Sequence, residues 1–265
     1  MIRSFIYAAV AAVFSSSAPS TASAADMAVD LELVLAVDIS RSMDDEEQRL
    51  QRDGYVAAFR HPEIQQAILS GRYRRIAVAF VEWAGTNRFF LRVPWALIDS
   101  ERGAEAFADR LAALPLEEAA RTSISGALEF AADQFKGNGY QGLRRVIDIS
   151  GDGPNNMGSP VHVMRDEIVA RGIVINGLPL ILSPSVMAGF ERNEELAWYY
   201  EDCVIGGFGS FFISVVGKAA FPEAIRSKLI LEMSDRHPRV LRVQHKSRAK
   251  MDCLIGEKMW DRGWD

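Results

Sequence analysis

Ala36-Val37-Asp38-Ile39-Ser40-Arg41-Ser42-Met43 follows directly on the apolar run Leu31 to Val37, so a buried strand here ends in a sudden gathering of polar groups. Asp38, Ser40 and Ser42 form a D-x-S-x-S pattern in which one carboxylate and two hydroxyls crowd into a single turn. Hard oxygen donors packed this closely suit a small divalent cation, Mg²⁺ or Mn²⁺, which prefers near-octahedral oxygen coordination. The same residues also suit an ordinary strand-to-helix turn with Ser42 as the N-cap, because Ser and Asp are favoured there without a metal.

The rest of the chain alternates apolar runs with longer amphipathic segments. After the Leu31 strand, Asp44 to His61 predicts the crossover helix, closed at His61-Pro62 because proline pushes its predecessor out of the α region. Ile76 to Trp83 predicts a second strand, Gly85-Thr86-Asn87 a turn, and Phe89 to Trp95 a short strand returning antiparallel, with Pro94 suited to an edge. Asp99 to Leu114 and Ser123 to Phe135 read as helices. Val146 to Ile149 reads as a strand running into the turn cluster Ser150 to Asn156. Val161 to Arg171 is helical, and Ile173 to Ile181 is a strand that Asn176-Gly177 should interrupt. Phe190 to Tyr200 is a helix, Phe211 to Val216 a last strand and Phe221 to Ser234 a last helix.

Strands alternating with helices imply right-handed crossovers and an α/β fold: a doubly wound, mostly parallel central sheet with helices on both faces. One domain is expected over residues 30–236, followed by a basic tail over 237–265. Val204 to Gly217 is uncharged, but Gly206, Gly207 and Gly209 favour a turn and a buried strand over a membrane span.

A net charge of -5 argues against a nucleic-acid partner bound through bulk charge. At the start, Arg3, the apolar run Phe5 to Phe14 and Ala22-Ser23-Ala24 have the form of a secretory signal over residues 1–24, cleaved after Ala24 or Ala25. The run is short for a bilayer span, so the mature chain is expected to be exported, periplasmic or secreted, without a transmembrane segment. Cys203 and Cys253 are the two cysteines. In an oxidising compartment they favour a disulfide over a metal site, with two buried thiols as the alternative.

In an open parallel sheet, ligands bind beyond the carboxyl ends of the strands, near the reversal of strand order. Three segments bring oxygen donors to such an edge: Asp38 to Ser42, Thr122 at the start of a helix, and Asp152 after the Val146 strand. This set, with Arg121-Thr122-Ser123-Ile124-Ser125-Gly126-Ala127 and Ile149-Ser150-Gly151-Asp152-Gly153, resembles the metal-ion-dependent adhesion site of von Willebrand factor A-type domains. More narrowly, Val146 to Asn156, Ile175-Asn176-Gly177-Leu178-Pro179, Val204-Ile205-Gly206-Gly207 and Ala224 to Leu229 are similar to an exported bacterial A-domain-like family designated only as a domain of unknown function, of DUF1194 type.

The resemblance implies roles. Ser40 and Ser42 would bind the ion through their hydroxyls, Thr122 directly or through water, and Asp38 and Asp152 directly or by holding coordinated waters. An ion with few anionic ligands stays electrophilic and accepts a carboxylate from a protein partner presenting Asp or Glu. Asp44 and Asp45 resemble, with a shift in spacing, the acids that hold a second cation in integrin-type A-domains. Acids in a helix's first turn also answer the macrodipole alone. Asp148 is a candidate to orient a ligand, or to pair with Arg144 or Arg145, or neither. The tail, with Arg239, Arg242, His245, Lys246, Arg248, Lys250, Trp260 and Trp264, reads as a solvated strip tied down by the disulfide, or as a contact for anionic lipid or glycan.

Three classes of function follow: a metal-dependent binding module, a metal-assisted hydrolase, and a scaffold whose ion is structural. The second would need a general base or a second ion. His61, His162, His237 and His245 show no ligand spacing, there is neither a G-x-S-x-G elbow nor a P-loop, and Ser40 stands where a phosphoryl-transfer D-x-D motif needs a carboxylate. The binding module is therefore the expectation.

Overall fold

A computed structural model of the chain describes residues 26–182, 194–234 and 248–261. Its six-stranded sheet has the order β3-β2-β1-β4-β5-β6, built from β1 (Met27–Asp38), β2 (Ile76–Trp83), β3 (Phe89–Ile98), β4 (Tyr140–Gly151), β5 (Val174–Ile181) and β6 (Val215–Val216). All neighbours pair parallel except β2 and β3. The expected α/β, mostly parallel architecture is therefore the observed one.

β1 splits its side chains by the period of two: Leu31, Leu33, Leu35 and Val37 join one buried cluster, Val34 and Ala36 the other. The first cluster lies under α1 (Asp45–Arg60), α2 (Pro62–Leu69), α3 (Glu101–Ala112) and α7 (Phe221–Met233). The second lies under α4 (Ile124–Asp133), α5 (Val161–Ala170) and α6 (Glu194–Tyr199), which continues into a π turn at Tyr200–Val204. Burial on both faces is why the strands read as apolar runs. No helix among the described residues is long and apolar enough to cross a membrane.

Local signals hold at most boundaries. Asp44 accepts from the Glu47 N–H and Glu47 reaches back to the Asp44 N–H, a capping box that opens α1. Ser100 caps α3 and Ser123 caps α4. Pro94 lies on the edge strand β3, where the ladder to β2 slips between the Val78–Ala96 and Phe80–Val93 pairs.

Four readings are corrected or completed. Asn176-Gly177 does not break β5, because Asn176 finds partners for both ends of its amide: Nδ2 donates to both Glu232 oxygens at 2.9 Å, and Oδ1 accepts from the Phe211 N–H at 2.8 Å. Gly177 is needed for close packing, since a Cβ there would lie 2.6 Å from Tyr200 Cδ1. Of the strand expected over Phe211 to Val216, only Val215–Val216 forms a ladder; Phe212 meets Gly177 in a single bridge after turns at positive φ at Gly207 and Gly209. The helix α2 was not anticipated; His61 ends α1 and starts α2 at once, its Nδ1 accepting from the Glu63 N–H. Of the helix expected from Phe190, residues 190–193 lie outside the described residues.

The C-terminal tail is not simply solvated where it is described. Cys203 and Cys253 form a disulfide with Cα atoms 5.4 Å apart, and Arg248 pairs with Glu201 and Asp202. A short helix, α8 (Ile255–Asp261), then packs on the loop after β4, Gly256 lying so close that a Cβ would meet the Asn155 carbonyl. Arg239, Arg242, His245, Lys246 and Trp264 lie outside the described residues.

Candidate metal centre

β1 and β4 are neighbours at the place where the chain, having laid β2 and β3 on one side of β1, crosses to the other. Strand order reverses there, and a crevice opens beyond the carboxyl ends of the two strands. The register sets Val37 opposite Ser150, so Asp38 and Asp152 emerge side by side.

Asp38 Oδ1 accepts from the Ser40 N–H at 2.7 Å, turning the chain so that the Ser40 and Ser42 hydroxyls meet at 2.9 Å. Ser42 Oγ then donates to Asp152 Oδ1 at 2.7 Å. Four of the five anticipated residues thus form one connected set. Thr122 stands outside that set and is held to the loop after β4 through its backbone: its N–H donates to Asn156 Oδ1 and its carbonyl accepts from the Asn156 N–H, both at 3.0 Å. Its loop is pinned to the serine loop where the Ala119 N–H donates to the Ile39 carbonyl, and Arg41 pairs with Glu118.

Asp38 is fully buried, and its Oδ2 has no hydrogen-bond partner. Burial drives its carboxyl well above the ordinary carboxylate value, and the charge of Asp152 pushes the same way against hydrogen bonds from Ser40. Burial likewise raises Asp152 to about 6, opposed by the Ser42 hydrogen bond. Two buried carboxylates facing hydroxyls rather than a basic partner are a donor set that a hard divalent cation completes. Gly151 keeps the space open: a Cβ there would stand 3.0 Å from Asp38 Oδ2 and 2.9 Å from the Tyr200 hydroxyl. The residues fit a Mg²⁺ or Mn²⁺ ion. Among the described residues no three His, Cys, Asp or Glu gather to hold a metal, so the fit depends on the hydroxyls.

Asp44 and Asp45 have other engagements. Asp44 caps α1 and, with Glu46 and Glu47, surrounds the Lys218 ammonium. Asp45 is exposed, 3.9 Å from Arg49. Asp148 pairs with neither Arg144 nor Arg145: its carboxylate lies 2.9 Å from Lys228 Nζ of α7.

Several residues that shape the site went unread in the sequence. Gln51 of α1 donates to the Asp38 carbonyl and accepts from the Ser150 hydroxyl, clamping both strand ends. Its only signal was a polar residue on the helix's buried face. Asn155 accepts from the Ser125 N–H, donates to Glu257 at 2.8 Å, and offers its own N–H to the Tyr199 hydroxyl. Arg121, at φ 74, lays its guanidinium 3.7 Å from the centre of the Trp260 ring. The loops carrying Thr122 and Asp152 are therefore both braced by α8.

Residues 28–237 match the profile of a family described as "Protein of unknown function (DUF1194)". No curated protein matches the chain by sequence. In fold it is similar to proximal thread matrix protein 1 from the mussel byssus, solved with a zinc-occupied MIDAS motif (TM-score 0.56, 14% identity, 79% of this chain and 49% of that one). It is also similar to the pilus adhesin SpaC from Lactobacillus rhamnosus GG (0.58, 11%, 79% and 31%). A third likeness is to the vWF domain of the type V pili tip protein Mfa5 from Porphyromonas gingivalis (0.50, 9%, 76% and 96%). The chain spans about half the length of the mussel protein. At these identities the likeness is one of fold, and the fold is that of a von Willebrand factor A-like domain.

Proposed function

We propose that this chain, which belongs to the DUF1194 family, is an exported binding module that recognises a protein partner's Asp or Glu through a divalent cation, Mg²⁺ or Mn²⁺, and is not an enzyme. The observation that carries the reading is the connected set Ser40, Ser42 and Asp152 beside the unpartnered Asp38 Oδ2, at the reversal of strand order. When bound, the cation supplies an electrophilic position for an incoming carboxylate. Asp38 and Asp152 hold the ion's charge, the two serine hydroxyls contribute neutral oxygens, and Thr122 completes the set from its loop. Gln51 and Gly151 keep the strand ends and the space in order. A single cation suffices, because Asp44 is committed to the cap of α1 and to Lys218.

Support from relatives is of two kinds. A fold neighbour has been solved with its MIDAS motif occupied by zinc, and two others are a pilus adhesin and a pilus tip domain. Export is proposed from the signal-like residues 1–24, and the Cys203–Cys253 disulfide fits an oxidising compartment.

The test is retention of exported proteins on the immobilised mature chain in Mg²⁺, in chelator, and on an Asp152→Ala variant. Proteins held in Mg²⁺ alone, released by chelator and absent from the variant are expected. Retention that ignores both chelator and substitution would contradict the proposal.

A further inference from the structure

On the sheet face away from Tyr200, a second charged group lies sealed in the core and takes no part in the metal site. Lys228 of α7, Asp148 of β4 and Glu232 of α7 are each no more than 1% exposed. Lys228 Nζ lies 2.9 Å from Asp148 Oδ1 and 2.7 Å from Glu232 Oε1, with the Phe211 ring centre 4.8 Å away. The two carboxyl groups are held differently. Both Glu232 oxygens accept from Asn176 Nδ2. Asp148 Oδ1 meets the Lys228 ammonium as an ion pair, and among the described residues no amide or hydroxyl donor ties either of its oxygens down.

A buried amine in contact with a carboxyl group, beside a second carboxyl that can carry a proton, is the arrangement that condensation to an amide requires. Proximity removes the usual obstacle to that reaction, since amine and carboxyl are already held together. Apolar surroundings favour a product with fewer charges, because three buried ionisable groups bearing one positive and two negative charges are costly.

We propose that Lys228 and Asp148 condense to an intramolecular isopeptide bond, with Glu232 as the proton carrier. A proton first passes from the Lys228 ammonium, by way of Glu232, to Asp148. The neutral Nζ attacks Asp148 Cγ, and the C–N bond forms as the nitrogen gives a proton to Glu232. Glu232 returns that proton to the departing hydroxyl, the C–O bond breaks, and one water leaves. One ammonium and one carboxylate become one amide and one water, Glu232 ends as it began, and no oxidant or co-reactant is needed.

Burial raises Asp148 to about 6, Glu232 adding to the rise and Lys228 opposing it, so the protonated acid is accessible. Burial pulls the Lys228 ammonium down, but the two carboxylates more than reverse it, and the neutral amine is the minor form. A reaction that happens once per molecule tolerates that, at the expense of speed. Glu232 is not the acceptor, being bound by Asn176 at both oxygens and four residues away on the same helix. The bond would tie α7 to β4, the strand that leads into Asp152.

Intact mass of the folded, purified wild-type chain, reduced and denatured just before measurement and with its N-terminus read by peptide mapping, tests this without any substitution. The expected mass is lower than that of the sequence by one water, with a cross-linked peptide joining Lys228 to Asp148. The full sequence mass, a loss of ammonia indicating Asn176 as acceptor, or a cross-link elsewhere would each overturn the proposal. Folded Glu232→Gln is expected to retain its own full mass when freshly made. Complete cross-linking in that variant would overturn the role given to Glu232.

Discussion

Ser42 Oγ donates to Asp152 Oδ1 at 2.7 Å, joining two loops that stand 110 residues apart in the chain. The bond aligns the serine loop with the end of β4 before any ion arrives, so the donor set is preorganised. Ser42→Ala should leave the fold intact, because the side chain lies at the surface end of the turn. It should weaken Mn²⁺ binding by about 10- to 100-fold, the range for groups that hold or orient a metal's ligands. Mn²⁺ titration of the variant beside wild type measures this.

Burial places the folded pKa of Asp152 at about 6, against an ordinary 3.8. A carboxyl whose folded pKa is raised binds more protons folded than unfolded, so its contribution is favourable at low pH and is lost as pH rises through about 6. Metal-free protein should therefore lose stability over that window, by the order of 3 kcal/mol from this group. Saturating Mg²⁺ should restore it, and ion affinity should rise with pH over the same window. Thermal melts of wild type and Asp152→Asn, with and without Mg²⁺, check both signs; the loss should be smaller in the variant.

Gly151 sits where a Cβ would meet Asp38 Oδ2 at 3.0 Å, the Tyr200 hydroxyl at 2.9 Å and Trp83 Cη2 at 3.3 Å. Gly151→Ala is expected to destabilise the protein by about 1–3 kcal/mol, the usual effect of overpacking a filled interior. It should also impair ion binding by displacing Asp38. Denaturant unfolding and Mn²⁺ titration separate the two effects.

The disulfide links Cys203, in the π turn beside Tyr199 and Tyr200, to Cys253 just before α8, at a separation of 50 residues. In the chain-entropy account it stabilises by about 4 kcal/mol. Through Asn155–Glu257 and Arg121–Trp260 the same segment braces both ligand loops. Cys203→Ser with Cys253→Ser should lower Tm, and at temperatures where the variant remains folded it should bind Mn²⁺ more weakly. Hydrogen exchange is expected to quicken in the peptides that carry Thr122 and Asp152.

The legible parts of this chain were those set by local pattern. Leu31 to Val37 announced β1 because both faces of the strand are buried, and the ranges Asp99 to Leu114 and Ser123 to Phe135 announced α3 and α4. Asp38, Ser40, Ser42 and Asp152 could be singled out because polar groups at strand ends in an α/β sheet converge. Partners across the fold were not legible. Asn176-Gly177 carried a turn's composition, yet Glu232 and Phe211 from distant segments satisfy the asparagine within a strand. Lys228 gave no sign that it would meet Asp148, since their pairing depends on how α7 lies across β4. The placement of α8 rests on one disulfide and a close approach of Gly256 to Asn155, and neither has a local signature.

The central claim is that Asp38, Ser40, Ser42, Thr122 and Asp152 hold one divalent cation. Calorimetric titration of the metal-free mature chain with Mn²⁺, wild type beside Asp38→Ala and Asp152→Ala, addresses it directly. One ion per chain in the wild type, with binding lost in both folded variants, is the predicted result. Wild type that takes up no ion, or variants that bind as wild type does, would contradict it.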